Sequence, residues 1–112
     1  MAAGTYNFTL EQGSTFSRQI TVQENSTALN LTGYTARMQM RSTHDSSTIA
    51  LTYTSTIASP ASNGKINLSA TATQTASIEE GMYVYDLEIE SSGGEVTRLM
   101  EGQVTVTPEV TR

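Results

Sequence analysis

The sequence predicts an all-β domain, an immunoglobulin-like or jelly-roll β-sandwich of about seven to eight short antiparallel strands. Three observations predict it. Apolar and polar residues alternate with period two along several short stretches, as they do when one face of a strand is buried. Clusters of Gly, Ser, Asn and Pro separate those stretches at regular spacing. Serine and threonine fill 32 of the 112 positions, and the branched β-carbon of threonine favours strand over helix.

Taken in order, Tyr6, Phe8 and Leu10 share one face of a first strand, with residues 1–4 expected to form a flexible tail. Gly13 lies in a turn, and Phe16, Ile20 and Val22 then mark a second strand. In that strand Arg18 is the odd member, a charge on the apolar parity. Residues 24–28 read as a polar loop. Next, Tyr34, Ala36, Met38 and Met40 face one way, and Thr35, Arg37, Gln39 and Arg41 face the other. After a small polar loop, Ile49, Leu51 and Tyr53 alternate again in a strand that fades towards Ile57. Asn63-Gly64 is a strong turn signal, and Ile66 and Leu68 mark a short strand.

Helix competes in one place only, roughly residues 70–80. Ala70, Ala72, Ala76 and Ile78 suit a turn or two there, with Gly81 placed to end it and threonine too poor a former for more. The longest alternation follows, with Tyr83, Tyr85, Leu87 and Ile89 inward and Asp86, Glu88 and Glu90 outward. Ser91-Ser92-Gly93-Gly94 turns the chain back. The return strand carries Val96, Met100, Val104 and Val106 on one parity, with a bend expected at Gly102. The predicted core is Tyr34, Met38, Met40, Leu51, Tyr85, Leu87 and Val104.

Residues 1–112 are one domain's worth, and no linker or repeat divides them. Leu, Ile, Val and Phe number only 21, so Tyr, Met, Ala and threonine methyls must fill out the interior. The absence of cysteine excludes a disulfide scaffold, a thiolate zinc site and a cysteine nucleophile. There is no apolar run of about 18 residues, and the first residues lack the basic and apolar regions of a signal peptide. The expectation is therefore no membrane span and synthesis in the cytoplasm. A net charge of −5 and the single lysine, Lys65, argue against nucleic acid, which demands a basic stripe. The charge is uneven: residues 1–78 hold three acids and four bases, and residues 79–112 hold eight acids and two bases.

Few residues offer chemistry. His44-Asp45-Ser46 contains the residue types of a hydrolase triad, but three consecutive loop residues cannot place the acid behind the imidazole and the serine in front. Asp86, Glu88 and Glu90 stand about 6.6–6.8 Å apart on one strand face. That spacing is near that of paired glycosidase carboxylates, and such a row could attract Ca²⁺. A straight strand on so small a domain lacks both a sugar cleft and a curved calcium loop. These three acids are read instead as a solvated face, facing Arg37 and Arg41, or as a protein interface. Four Asn-x-Ser/Thr sequons, at Asn7, Asn25, Asn30 and Asn67, carry no message without a secretory signal. No enzyme, cofactor or metal is expected.

Four segments, in this order, resemble something more specific. They are Leu10-Glu11-Gln12-Gly13-Ser14-Thr15-Phe16; Asn30-Leu31-Thr32-Gly33-Tyr34-Thr35-Ala36-Arg37-Met38-Gln39-Met40-Arg41; Gly81-Met82-Tyr83-Val84-Tyr85-Asp86-Leu87-Glu88; and Glu101-Gly102-Gln103-Val104-Thr105-Val106-Thr107-Pro108-Glu109-Val110-Thr111-Arg112. The series is similar to small virion structural proteins of tailed bacteriophages and, more distantly, to the N-terminal domain of the phage baseplate upper protein. The resemblance implies a non-enzymatic adaptor in the tail, baseplate or fibre junction, located in the virion. It implies partners among other virion proteins in a multi-copy assembly, or further copies of the chain itself. A capsid decoration, or cement, protein on the head exterior is the first alternative. A carbohydrate-binding module is the second, disfavoured because the tyrosines fall mostly on the apolar parity.

Overall fold

The computed structural model describes residues 4–24 and 26–111. The alternating stretches form strands, as predicted: β1 (Gly4–Thr5), β2 (Phe8–Glu11), β3 (Phe16–Thr21), β4 (Gln23–Glu24), β5 (Thr27–Ala28), β6 (Thr35–Arg41) and β7 (Leu51–Ile57). β8 (Lys65–Ala70), β9 (Gly81–Glu90) and β10 (Val96–Thr107) complete them. A curled mixed sheet runs in the order β1-β10-β9-β6-β7-β8-β3, with β2 also on β10 and with β4-β5 as a separate small hairpin.

The curl comes from β7. Its first part, Leu51 to Tyr53, pairs with β6, and its second part, Thr54 to Ile57, pairs with β8. One strand thus serves two layers and closes that flank. The opposite flank is different: β2 pairs with β10 and β3 pairs with β8, and among the described residues nothing pairs β2 with β3. The molecule is a sandwich with one closed side and one open seam.

The core lies between the layers. Met38, Met40, Leu51, Tyr85, Leu87 and Val104 are buried as expected, with Leu10, Ile66, Leu68 and Ile89 beside them. Aromatic rings fill what the sparse aliphatic residues leave. Phe8 meets Phe16 at 5.3 Å and Tyr85 at 5.0 Å between ring centroids, and Phe16 meets Tyr53 at 5.3 Å.

Several expectations need correction. Tyr34 is only half-buried, because β6 begins one residue later, at Thr35. Ile49 is 42% exposed and lies outside β7. β1 and β2 run parallel to β10, so the sandwich is not wholly antiparallel. Gly4 belongs to β1 and not to a tail; residues 1–3 lie outside those described. The stretch after Val22 is the β4-β5 hairpin, with Asn25 outside the described residues. The helix α1 (Ala72–Ala76) falls in the predicted window, but it ends at Ser77. Gly81, at φ 144°, opens β9 instead of stopping the helix. A short 3₁₀ turn at Ala61–Asn63 lies outside that window.

The bend in β10 is also displaced. The register shifts between Arg98 and Met100, and Val96 before it is 46% exposed. Gly102 has another purpose: a β-carbon there would strike the backbone of Tyr6 and the Asn7 side chain where the N-terminal strand crosses β10. Tyr6 N–H donates to Glu101 O at 2.9 Å at this crossing, and Gln103 N–H donates to Asn7 Oδ1 at 2.9 Å.

Candidate functional site

Two surfaces merit attention. The first is the outer face of β6, β9 and β10, where Asp86, Glu88 and Glu90 lie in a row as the alternation requires. Register brings Arg37 opposite Glu88 and Arg98 opposite Glu88 from the other side. Arg37 binds Glu88 through Nε at 3.0 Å and Glu90 through Nη1 at 2.8 Å. These two hydrogen bonds hold its guanidinium still more firmly in the charged form. Arg98 reaches Asp86 at 3.5 Å and Glu101 at 3.3 Å. Arg41, the other expected partner, instead donates to Ser46 O and Gln39 Oε1 at 2.9 and 3.1 Å.

Each of the three carboxylates therefore has a guanidinium partner within the chain, two arginines being shared among Asp86, Glu88, Glu90 and Glu101. Partial burial, and then the neighbouring Glu88 charge, raise the Asp86 carboxyl above its ordinary range, with Arg98 only partly offsetting them. A shallow depression of about 280 Å³ lies over this lattice, lined by Arg41, His44, Asp86, Glu88, Arg98 and Glu101 among others. It mixes both signs of charge. Among the described residues, no group of three or more His, Cys, Asp or Glu side chains could hold a metal ion. His44 makes no triad: Ser46 Oγ donates to Thr48 O at 3.2 Å and not to the imidazole.

The second surface is the open seam, which sequence reasoning did not find. Among the described residues, β3 pairs on one side only. Just beyond the strand, Val22 N–H donates to Gly64 O, towards β8. Backbone groups alternate along a strand, so those of Ser17, Gln19 and Thr21 point the opposite way, along the free edge. Beside that edge lies a groove of about 220 Å³ lined by Tyr6, Phe8, Phe16, Ile20, Met38, Leu68 and Met100, with Arg18 and Gln19 at its rim. Tyr6 remains 46% exposed there and lies against Phe8, ring centroids 6.0 Å apart. Tyr85 donates its hydroxyl to Tyr6 O at 2.5 Å, fixing the far wall.

Among the described residues, Arg18 is the only charged side chain lining the groove. Its guanidinium carbon lies 5.7 Å from the Phe16 ring centroid, and it joins no ion pair among the described residues. The other end of the seam is locked. Gln12 donates to Ile78 O at 2.7 Å and accepts from Glu109 N–H at 3.0 Å, while Thr75 Oγ1 donates to Ser14 O at 2.8 Å. The one sequence signal for this surface was Arg18 itself, a charge on an apolar parity.

Comparison with known proteins gives no family. No family model matches the chain, and no curated protein matches it. Among solved structures, the crystal structure of CopC from Methylosinus trichosporium OB3b is similar at a TM-score of 0.42 and 14% identity, over 69% of this chain and 66% of that one. The chain thus spans just under two thirds of that protein.

These findings overturn the resemblance to tailed-phage proteins. One similar solved structure is a CopC and not a baseplate protein, and no family model or curated protein matches to support a virion role. The tail, baseplate, fibre-junction and capsid-decoration readings fall with it, and nothing in the comparisons favours the carbohydrate-binding alternative. The physical reason is plain in the quoted segments. Gly13 and Gly33, at φ 82° and 83°, are turn glycines, and the residues after them alternate because they enter strands. Such patterns mark β-architecture in general and not one lineage.

Proposed function

We propose that this chain is a non-catalytic binding module that docks another polypeptide along the seam between β2 and β3. The observation that carries the reading is the unpaired edge of β3 running beside an apolar groove. Open strand edges are templates for added strands, and pockets beside them give selectivity through alternate side chains. The groove, at about 220 Å³, suits one or two side chains and is smaller than the roughly 300–1,000 Å³ typical of small-molecule sites. The non-enzymatic part rests on residue chemistry: the chain has no cysteine, and its one histidine sits on an exposed loop with no hydrogen-bonded acid among the described residues. The row Asp86, Glu88 and Glu90 is the weaker dock, because its carboxylates already have guanidinium partners.

Selection from a random heptapeptide library on the immobilised chain tests this. Selected peptides should lose binding to Gln19→Pro, whose ring removes an outward N–H from the edge. They should keep binding to the triple variant Asp86→Asn, Glu88→Gln, Glu90→Gln. Peptides indifferent to the first variant and lost on the second would overturn the reading in favour of the charged face.

A further inference from the structure

We infer that the occupant of the seam is an extended segment that adds to the β3 edge and presents a carboxylate to Arg18, with apolar residues on the same parity. This rests on the docking reading above and names the partner's chemistry.

Phe16, Arg18 and Ile20 alternate onto one face of β3, and all three line the groove. A strand laid along the edge places its own alternate side chains on that face, directly opposite or diagonal to these three. Opposite Phe16 and Ile20 the groove offers Tyr6, Phe8 and Met100, so apolar side chains fit there. Opposite Arg18 the requirement reverses. The guanidinium has no anionic partner among the described residues, in a chain whose net charge is −5 and whose ion-paired arginines, Arg37 and Arg98, hold two carboxylates each. A planar guanidinium beside an aromatic ring, with its donors free, is suited to a carboxylate.

The same residue argues against a second copy as occupant. Antiparallel pairing of two β3 edges centred on Gln19 would set each Arg18 opposite Ile20 of the other copy. The two Arg18 residues would then be diagonal neighbours on one face, about 7–8 Å apart at the backbone. Like charges on such neighbours repel within the Debye length. An inward charge on an edge strand guards against self-pairing while leaving the edge open to an acidic partner.

Three capped heptapeptides differing at one position provide the test. Each carries Val at positions 2 and 6 and Thr at the odd positions, with Glu, Gln or Lys at position 4, so that residues 2, 4 and 6 share one face. Binding to the full chain is measured by calorimetry. The Glu peptide should bind about ten-fold more tightly than the Gln peptide, as a charge-assisted hydrogen bond requires, and the Lys peptide more weakly still. Arg18→Gln should erase the Glu preference, and Arg18→Glu should transfer it to Lys. An N-methylated Glu peptide, unable to complete the edge hydrogen bonds, should not bind; this control does not depend on any variant folding. Equal affinity for all three peptides, abolished by N-methylation, would overturn the carboxylate inference and leave seam docking standing. Binding untouched by both N-methylation and Gln19→Pro would overturn both. Self-association of the chain in sedimentation, lost in Gln19→Pro, would show a second copy in the seam and overturn the proposal.

Discussion

Arg18 and Gly102 both break the pattern of the strands they occupy, and each has a neighbour that explains it. Arg18 sits on an inward parity because that parity opens at the sheet edge, where its guanidinium lies over Phe16 and reaches solvent. Its oddness was legible in the sequence; the groove beside it was not, because the groove is built from Tyr6, Leu68 and Met100, far apart in the chain. Gly102 was legible only as a break. A glycine within a strand signals either a bulge or a close approach, and composition cannot choose between them. Here the approach is that of Tyr6 and Asn7, while the bulge sits at Leu99. Gly102→Ala should therefore push the N-terminal crossing off β10 and cost about 1–3 kcal/mol, as overpacking does. Urea unfolding measures it. A cost near zero would mean that the crossing at Tyr6 yields freely.

At the scale of the element, α1 shows how a short helix persists without propensity. It has five residues, two of them threonine, and is far too short to be stable alone. Its N-terminus is closed by a capping box: Thr71 Oγ1 accepts from Gln74 N–H at 3.1 Å, and Gln74 Oε1 accepts from Thr71 N–H at 2.9 Å. Its anchor is Thr75, fully buried, whose hydroxyl donates to Ser14 O in the β2-β3 turn. The alanines and the poor propensity of threonine located the helix in the sequence, but the anchor depends on a contact across sixty-one positions. Thr75→Val keeps shape and removes the donor, leaving Ser14 O without that bond. It should cost about 1–3 kcal/mol, read from the denaturant midpoint. It should also raise amide exchange in the 11–14 turn, whereas loss of helix propensity alone would leave that turn protected.

The whole molecule was legible as a class and not as a topology. Alternation told which residues face inward, and the strands lie close to where it placed them. The parallel seating of β1 and β2 on β10, the split pairing of β7 and the unpaired flank are set by closure between distant segments. No local pattern encodes closure. That closure buries two phenols, and it makes the fold sensitive to alkali. Burial pushes the Tyr85 hydroxyl up to about 12, with the nearby Tyr6 phenol adding to the effect, and burial raises Tyr53 further still. A free phenol ionises near 10. Between those values the native state holds protons that the unfolded chain has released. Stability from these groups is thus complete below about pH 10 and is lost as pH rises towards about 12. Phenolate absorbance from Tyr53 and Tyr85 should appear only as near-ultraviolet dichroism collapses. Tyr85→Phe, which also removes the hydroxyl donated to Tyr6 O, should unfold with a shallower alkaline dependence. Full titration of all five tyrosines near pH 10 with the dichroism intact would mean that the two phenols are open to water and that the layers do not close over them.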